Sequence, residues 1–226
     1  DLHSFPTRRS SDLTHNNTTP LYITTGNNTV GMDMHAANGA INIKGTEIRK
    51  NGTILGAGKQ TMWLPAAAFT ARLTNGPALN QFLATNGANY KTLDFDPSTQ
   101  EVVEIAIRMP KSWDKGTISF TPVVSQLTTS AGAASWNLWT AVVTAGDIID
   151  PPYGSPGVVT VSMGTANIMY IGSESAAISS ANTALDGDLF VLALARAPAV
   201  GADTLAVDAR LHGINMYYTA NADSDL

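Results

Sequence analysis

The residues able to do chemistry are few and badly spaced for it. The four histidines are His3, His15, His35 and His212, and there is no cysteine. Without cysteine the chain has no disulfide, no thiolate metal site and no cysteine nucleophile. No two histidines fall at HxH or HExxH spacing, so a histidine-based zinc site is not expected. Asp94 and Asp96 flank Phe95 at period two, which puts both carboxylates on one face of a strand end. Paired carboxylates can hold calcium or work as acid and base. These lead straight into Pro97-Ser98, however, and capping that turn is the plainer role. Asp147 with Asp150, and Asp186 with Asp188, read the same way, and none of them begins a DxDxDG loop. Gly172-Ser173-Glu174-Ser175 lacks the second glycine of a nucleophile elbow. Gly56-Ala57-Gly58-Lys59 imitates only the end of a phosphate loop, with no apolar strand before it. The sequence predicts no enzyme, no cofactor and no metal.

Aromatic rings are the remaining candidates. Trp136 and Trp139 fall on opposite faces of one strand, so one can be core while the other faces out. Tyr153 stands between Pro152 and Gly154 on an expected loop. An exposed indole or phenol can stack on the apolar face of a sugar ring and costs little entropy to order. Core packing for the tryptophans and turn packing for Tyr153 are the plainer roles. Trp136, Trp139 and Tyr153 are therefore the candidate ligand-binding residues.

Elements that could position them are read from composition and alternation. The 226 residues are 44% hydrophobic and 14% charged, the balance being small and hydroxylated residues. Such a chain is too apolar for disorder and too poor in Glu and Lys for long solvated helices. A net charge of −5 leaves no basic footprint for nucleic acid. No apolar run approaches the ~18 residues of a membrane-spanning helix, and no membrane insertion is expected. In Glu101–Met109, Val103, Ile105, Ile107 and Met109 share one face while Glu104, Ala106 and Arg108 share the other, the pattern of a half-buried strand. Further strands are expected at Thr117–Phe120, Tyr90–Phe95, Ser135–Val143, Gly157–Met163, Ile168–Ile171, Asp188–Arg196 and Leu205–Tyr218. The last is expected to be strand rather than helix, with a bulge at Gly213. Ala78–Thr85 is expected to hold a short helical turn. Turn clusters such as Asp150-Pro151-Pro152-Tyr153-Gly154 separate the strands. The pattern predicts an all-β fold, an antiparallel β-sandwich or jelly-roll over 62–226.

The N-terminal part reads differently. Residues 1–13, DLHSFPTRRSSDL, fit nothing that follows and match the translation of a sequencing adaptor, the alternative being an ordinary disordered terminus. An adaptor would leave the true start, and any domain before it, missing. Residues 14–61 are rich in Thr, Asn and Gly, with short alternating pieces at Tyr22–Thr24, Ile41–Lys44 and Glu47–Lys50. Asn51-Gly52 between the last of these and Thr53-Ile54-Leu55 is a strong two-residue hairpin signal. This stretch has too few apolar side chains to close a core, and it reads as an extended stalk that needs a partner, or as a flexible linker.

Four stretches stand out between Met62 and Thr219: Trp63-Leu64-Pro65-Ala66, Leu93-Asp94-Phe95-Asp96-Pro97, Pro110-Lys111-Ser112-Trp113-Asp114-Lys115-Gly116-Thr117, and Asp203-Thr204-Leu205 through Asp208-Ala209-Arg210-Leu211 to Tyr217-Tyr218-Thr219. Through them the chain from Met62 to Tyr218 resembles a family of uncharacterised tailed-phage and environmental viral structural proteins. These motifs look structural, and Ala197-Pro198-Ala199 stands where that family tends to have Asp-containing turns. The resemblance implies a non-enzymatic virion protein, assembled in the host cytoplasm. It would be a fibre-like appendage, self-associating as a trimer, bound to other virion proteins, its head meeting a host-surface glycan or protein. A capsid decoration protein is a second expectation. A third, from another class, is a secreted carbohydrate-binding module.

Overall fold

Alternation along Val102–Arg108 sends Val103 into a buried core and leaves Ala106 and Arg108 exposed, with Ile105 and Ile107 packed against that core. The same period-two logic builds the rest of the domain. The computed structural model describes residues 49–50, 53–54, 58–83 and 89–221. The expected adaptor segment and nearly all of the expected stalk lie outside the described residues, as do His3, His15 and His35.

In chain order the strands are β1 (Arg49–Lys50), β2 (Thr53–Ile54), β3 (Gly58–Pro65), β4 (Thr70–Ala71), β5 (Ala78–Leu83), β6 (Asn89–Phe95), β7 (Val102–Arg108), β8 (Ser119–Gln126), β9 (Gly132–Val143), β10 (Gly157–Met163), β11 (Tyr170–Ile171), β12 (Leu189–Arg196) and β13 (Ala209–Ala220). A single 3₁₀ turn, Ala66–Ala68, follows β3. β1 and β2 pair Arg49 with Ile54 and Lys50 with Thr53, while Asn51-Gly52, where the hairpin turn is expected, lies outside the described residues.

Two antiparallel sheets form the sandwich. One has the order β10-β9-β12-β7-β4, the other β11-β8-β13-β6-β5, with β3 also paired to β13. β6 and β3 share one edge of β13: β6 pairs with Ala209–Leu211, and β3 takes over from Gly213 to Ala220. Between the two, the register of β13 against β8 jumps from Leu211–Val124 to Gly213–Val123, so His212 is an extra residue. This is the expected bulge. It resets the alternation, with Arg210 outward before it and Gly213, Asn215 and Tyr217 outward after it.

The core between the sheets is built from inward residues of both, including Phe95, Phe120, Trp136, Leu138, Phe190, Leu192, Ile214 and Met216. Trp136 and Phe95 meet edge to face at 5.0 Å between ring centroids, and Trp113 and Phe190 do so at 5.3 Å. Trp113 covers the turn between β7 and β8, where the Asp114 N–H donates to the Thr219 carbonyl and Asp114 Oδ1 accepts from the Gly116 N–H.

The expected helical turn at Ala78–Thr85 is corrected. Ala78–Leu83 is strand, paired residue for residue with Asp94–Asn89 of β6. A short isolated turn leaves most of its backbone groups unpaired, whereas the ladder to β6 satisfies them, so tertiary pairing prevails over local preference.

Candidate functional site

Register across the five-stranded sheet sets up one outward row. Trp139 of β9 lies opposite Ala193 of β12, Ala193 lies opposite Glu104 of β7, and Glu104 lies opposite Thr70 of β4. With neighbouring strands ~4.8 Å apart, the backbones at Trp139 and Glu104 are separated by roughly 10 Å. Between them stands only an alanine, and the surface dips there into a cleft of about 190 Å³ lined by Arg72, Gln100, Val102, Trp139, Tyr153 and Ala193.

Glu104 holds the polar wall of this cleft in place. Its Oε1 accepts from Arg72 Nε at 3.1 Å, from Arg72 Nη2 at 2.5 Å and from the Tyr153 hydroxyl at 3.1 Å. Arg72 enters just after β4, and Tyr153 comes from the turn that precedes β10, so one carboxylate ties together three separate pieces of chain. Arg72, hydrogen-bonded to Glu104, is held above its ordinary pKa. Burial and the Glu104 carboxylate push the Tyr153 phenol up to about 12, so it stays a neutral donor to Glu104. Arg72 also bonds the Tyr153 oxygen, and the Gln100 carboxamide on the cleft lining can both donate and accept. The cleft offers a flat half-buried indole on one side, a fixed set of donors and acceptors on the other, and a small apolar floor.

The candidate residues fall out as follows. Trp139 and Tyr153 line the same cleft. Trp136 faces the interior, fully buried, as a core residue. Arg72, Gln100 and Glu104 were not singled out from sequence. Glu104 is visible there as an outward residue of an amphipathic strand, but nothing local says that Arg72 and Tyr153 converge on it.

The other polar side chains are engaged structurally. Asp94 is buried and accepts from Arg210 Nε at 2.8 Å and Nη2 at 2.7 Å, and from Asn80 Nδ2 at 2.5 Å. Asp96 caps the turn by accepting from the Ser98 hydroxyl at 2.6 Å and from the backbone N–H groups of Ser98 and Thr99 at 2.7 and 2.8 Å, which together hold its carboxyl below the usual range. Asp188 accepts from the Leu185 N–H at 2.7 Å, and Asp147 from the Thr144 N–H at 3.0 Å. His212 Nε2 lies 2.8 Å from Ser125 Oγ, and Ser125 is buried. Among the described residues no group of three His, Asp or Glu side chains could hold a metal ion.

No known protein family and no curated protein matches this sequence. Among solved structures, the chain is similar to the CBM36-1 domain of a multidomain xylanase from the hindgut metagenome of Trinervitermes trinervoides, at 13% identity and TM-score 0.37, covering 70% of this chain and 96% of that one. It is similar to a carbohydrate-binding module CBM36 solved with calcium and xylotriose, at 12% identity and TM-score 0.34, covering 70% and 99%. A protein of unknown function from Shewanella oneidensis MR-1 is similar at 9% identity and TM-score 0.29, covering 75% and 90%.

The viral expectation is corrected by these comparisons, in which the similar structures of stated kind are CBM36 domains. The fibre-like appendage, the capsid decoration role, the trimer, the virion partners and the virion location fall with it. The physical reason lies in the motifs that suggested them. Asp94 and Arg210 form a buried pair, Asp203 holds Arg196, and Trp113 covers a turn. These are packing duties that a β-sandwich can require whatever it binds.

Proposed function

We propose that this domain is a non-catalytic saccharide-binding module, acting outside the cell, with its binding cleft at Trp139. The observation that carries the reading is the row Trp139–Ala193–Glu104, in which a planar ring and a pinned Arg72–Glu104–Tyr153 set face each other across an alanine. A pyranose has an apolar C–H face and an equatorial rim of hydroxyls. The indole suits the first, and Arg72, Gln100 and Tyr153 suit the second. Arg72 and Glu104 neutralise one another, so the cleft carries no net charge to select an acidic sugar, and neutral saccharides are its ligands. Holding the polar groups in advance lowers the entropy lost on binding.

The test is affinity electrophoresis and titration calorimetry against neutral soluble polysaccharides, with xylan, mannan and β-glucan in the panel. Binding to at least one is expected, and Trp139→Ala should weaken it at least tenfold with an unchanged melting temperature. Wild-type protein that binds none of them, or a Trp139→Ala protein that binds as well as wild type, would remove this reading.

A further inference from the structure

The outer face of the opposite, six-stranded sheet carries a second set of rings. Trp63 of β3 lies opposite Asn215 of β13, and Asn215 lies opposite Thr121 of β8. Trp63 is 47% exposed, although it belongs to a strand bound along its whole length to β13. Its position depends on Gly213. A β-carbon there would come within 2.6 Å of Trp63 Cη2 and Cζ2, so the indole occupies the space above the backbone of β13 that a side chain would fill. The ring rests on the sheet and keeps solvent-exposed surface.

Two more rings, one on β13 and one on β6, stand on either side of it. Tyr217 follows Asn215 at the next outward position, ~7 Å further along at the rise of a strand. Its ring has Lys59 Nζ 4.5 Å from the centroid. Lys59 is also paired with Glu174, which accepts from Ser119 Oγ, so a charged and hydroxylated wall borders this end. In the other direction Tyr90 of β6, 45% exposed, packs its ring 5.4 Å from that of His212. Thr61, opposite Tyr217 in register, and Asn215 add a hydroxyl and a carboxamide between the rings.

We propose that this face is a second saccharide-binding surface, with Trp63 as its central platform, for the flat side of an extended neutral polysaccharide chain running along β13. The inference rests on the saccharide reading above and adds to it a second site of different shape. The Trp139 cleft is short and walled, and suits a few sugars. The Trp63 face is open and linear, and rings in line with hydroxyls between them match a chain that presents one apolar face after another. Sites on opposite sheets also allow one domain to engage two chains, which raises retention on a dense solid beyond either affinity alone.

The experiment compares the full chain with Trp63→Ala, Trp63→Phe, Tyr217→Ala and Trp139→Ala. Retention is measured on insoluble xylan, mannan and cellulose, and calorimetry is run with short oligosaccharides of whichever polysaccharide binds. Trp63→Ala and Tyr217→Ala should each lower retention on the solid at least tenfold and leave oligosaccharide affinity unchanged, and Trp63→Phe should restore most of the retention. Trp139→Ala should lose the oligosaccharide and keep part of the retention. If Trp63→Ala and Tyr217→Ala are both retained like wild type while Trp139→Ala is not, the second surface is wrong and the cleft stands. If wild type is retained on none of the solids and binds no oligosaccharide, both readings fall.

Discussion

Arg196 and Asp203, seven residues apart, form a two-pronged ion pair with both side chains almost wholly removed from solvent. Arg196 Nε donates to Asp203 Oδ2 at 3.0 Å and Nη2 to Oδ1 at 2.8 Å. The same guanidinium donates to the carbonyls of Phe95 and Val207 at 3.2 and 2.8 Å, and to that of Leu205. The segment between β12 and β13 forms no strand, and the carbonyls of Leu205 and Val207 take their donors from this guanidinium. Asp203 in turn accepts from the Ser135 N–H at 3.0 Å, which ties the segment to β9.

Removing one member of this pair leaves an unpaired buried charge, so Asp203→Ala should cost about 3–5 kcal/mol in urea unfolding at neutral pH. The exposed pair Lys115–Asp186 at 3.0 Å is the control. Asp186→Ala should cost under about 1 kcal/mol, because water screens the pair in the folded protein. Equal costs for the two would mean that the interior around Arg196 is wetter than the structure implies.

Ile105 and Ala106 are neighbours on β7 with opposite surroundings, one packed on the core and the other exposed. Ile105→Asp should abolish cooperative folding, since a carboxylate on the core face has no partner and the loss should exceed about 4 kcal/mol. Ala106→Asp should leave the melting temperature within a few degrees of wild type. A soluble Ile105→Asp protein with a sharp thermal transition would contradict the assignment of that face.

Tyr153 reports on the cleft through its ionisation. Burial and then Glu104 raise its pKa to about 12, against roughly 10 for an unperturbed phenol. The unfolded chain therefore releases this proton first as pH rises, and the contribution of Tyr153 to stability is lost between about pH 10 and 12. Glu104→Gln should lower the Tyr153 pKa part of the way, burial being the larger cause, and should weaken saccharide binding by releasing Arg72. Ultraviolet titration of wild type and Glu104→Gln, each against its Tyr153→Phe counterpart, isolates the one phenol. No movement in Glu104→Gln would mean that the carboxylate has no hold on it.

The strands were the legible part of this sequence. Val103, Ile105 and Ile107 share a face because period two is local, and the bulge beside Gly213 rests equally on nearby residues. Gly157–Met163 was bounded on both sides by turn residues and came out with those limits. The candidate sites were less legible because they are made by register between strands far apart in sequence. Trp139 and Tyr153 could be picked as rings, but the carboxylate that orders their cleft lies 35 residues before Trp139 and meets it only through Ala193 of β12. Trp63 stood in the sequence only as part of a structural-looking motif, since its place on the sheet depends on a glycine 150 positions later. Ala78–Leu83 misled because a short segment becomes a strand only when β6 is there to pair with it.

His212 gives the domain an acid-sensitive point beside the Trp63 face. The bulge places its ring against Tyr90 and Ser125, with Arg210 and Asp94 the charged groups nearest in their influence. Burial holds its pKa below the ordinary value, Arg210 adds to this, and Asp94 opposes it. The unfolded chain thus takes up this proton at a higher pH than the folded one, from about 6.5 downward, and stability falls as the solution is acidified through that region. Glu101 and Asp208 act in the opposite sense at lower pH, because burial first and neighbouring carboxylates second raise their pKa values above the normal carboxylate range. The clean window lies between about pH 7.5 and 5.5, above ordinary carboxylate titration. There the urea midpoint of wild type should fall with pH, and that of His212→Gln, which keeps a hydrogen-bonding group near Ser125, should stay flat. A variant whose midpoint falls in parallel with wild type would move the acid sensitivity away from His212.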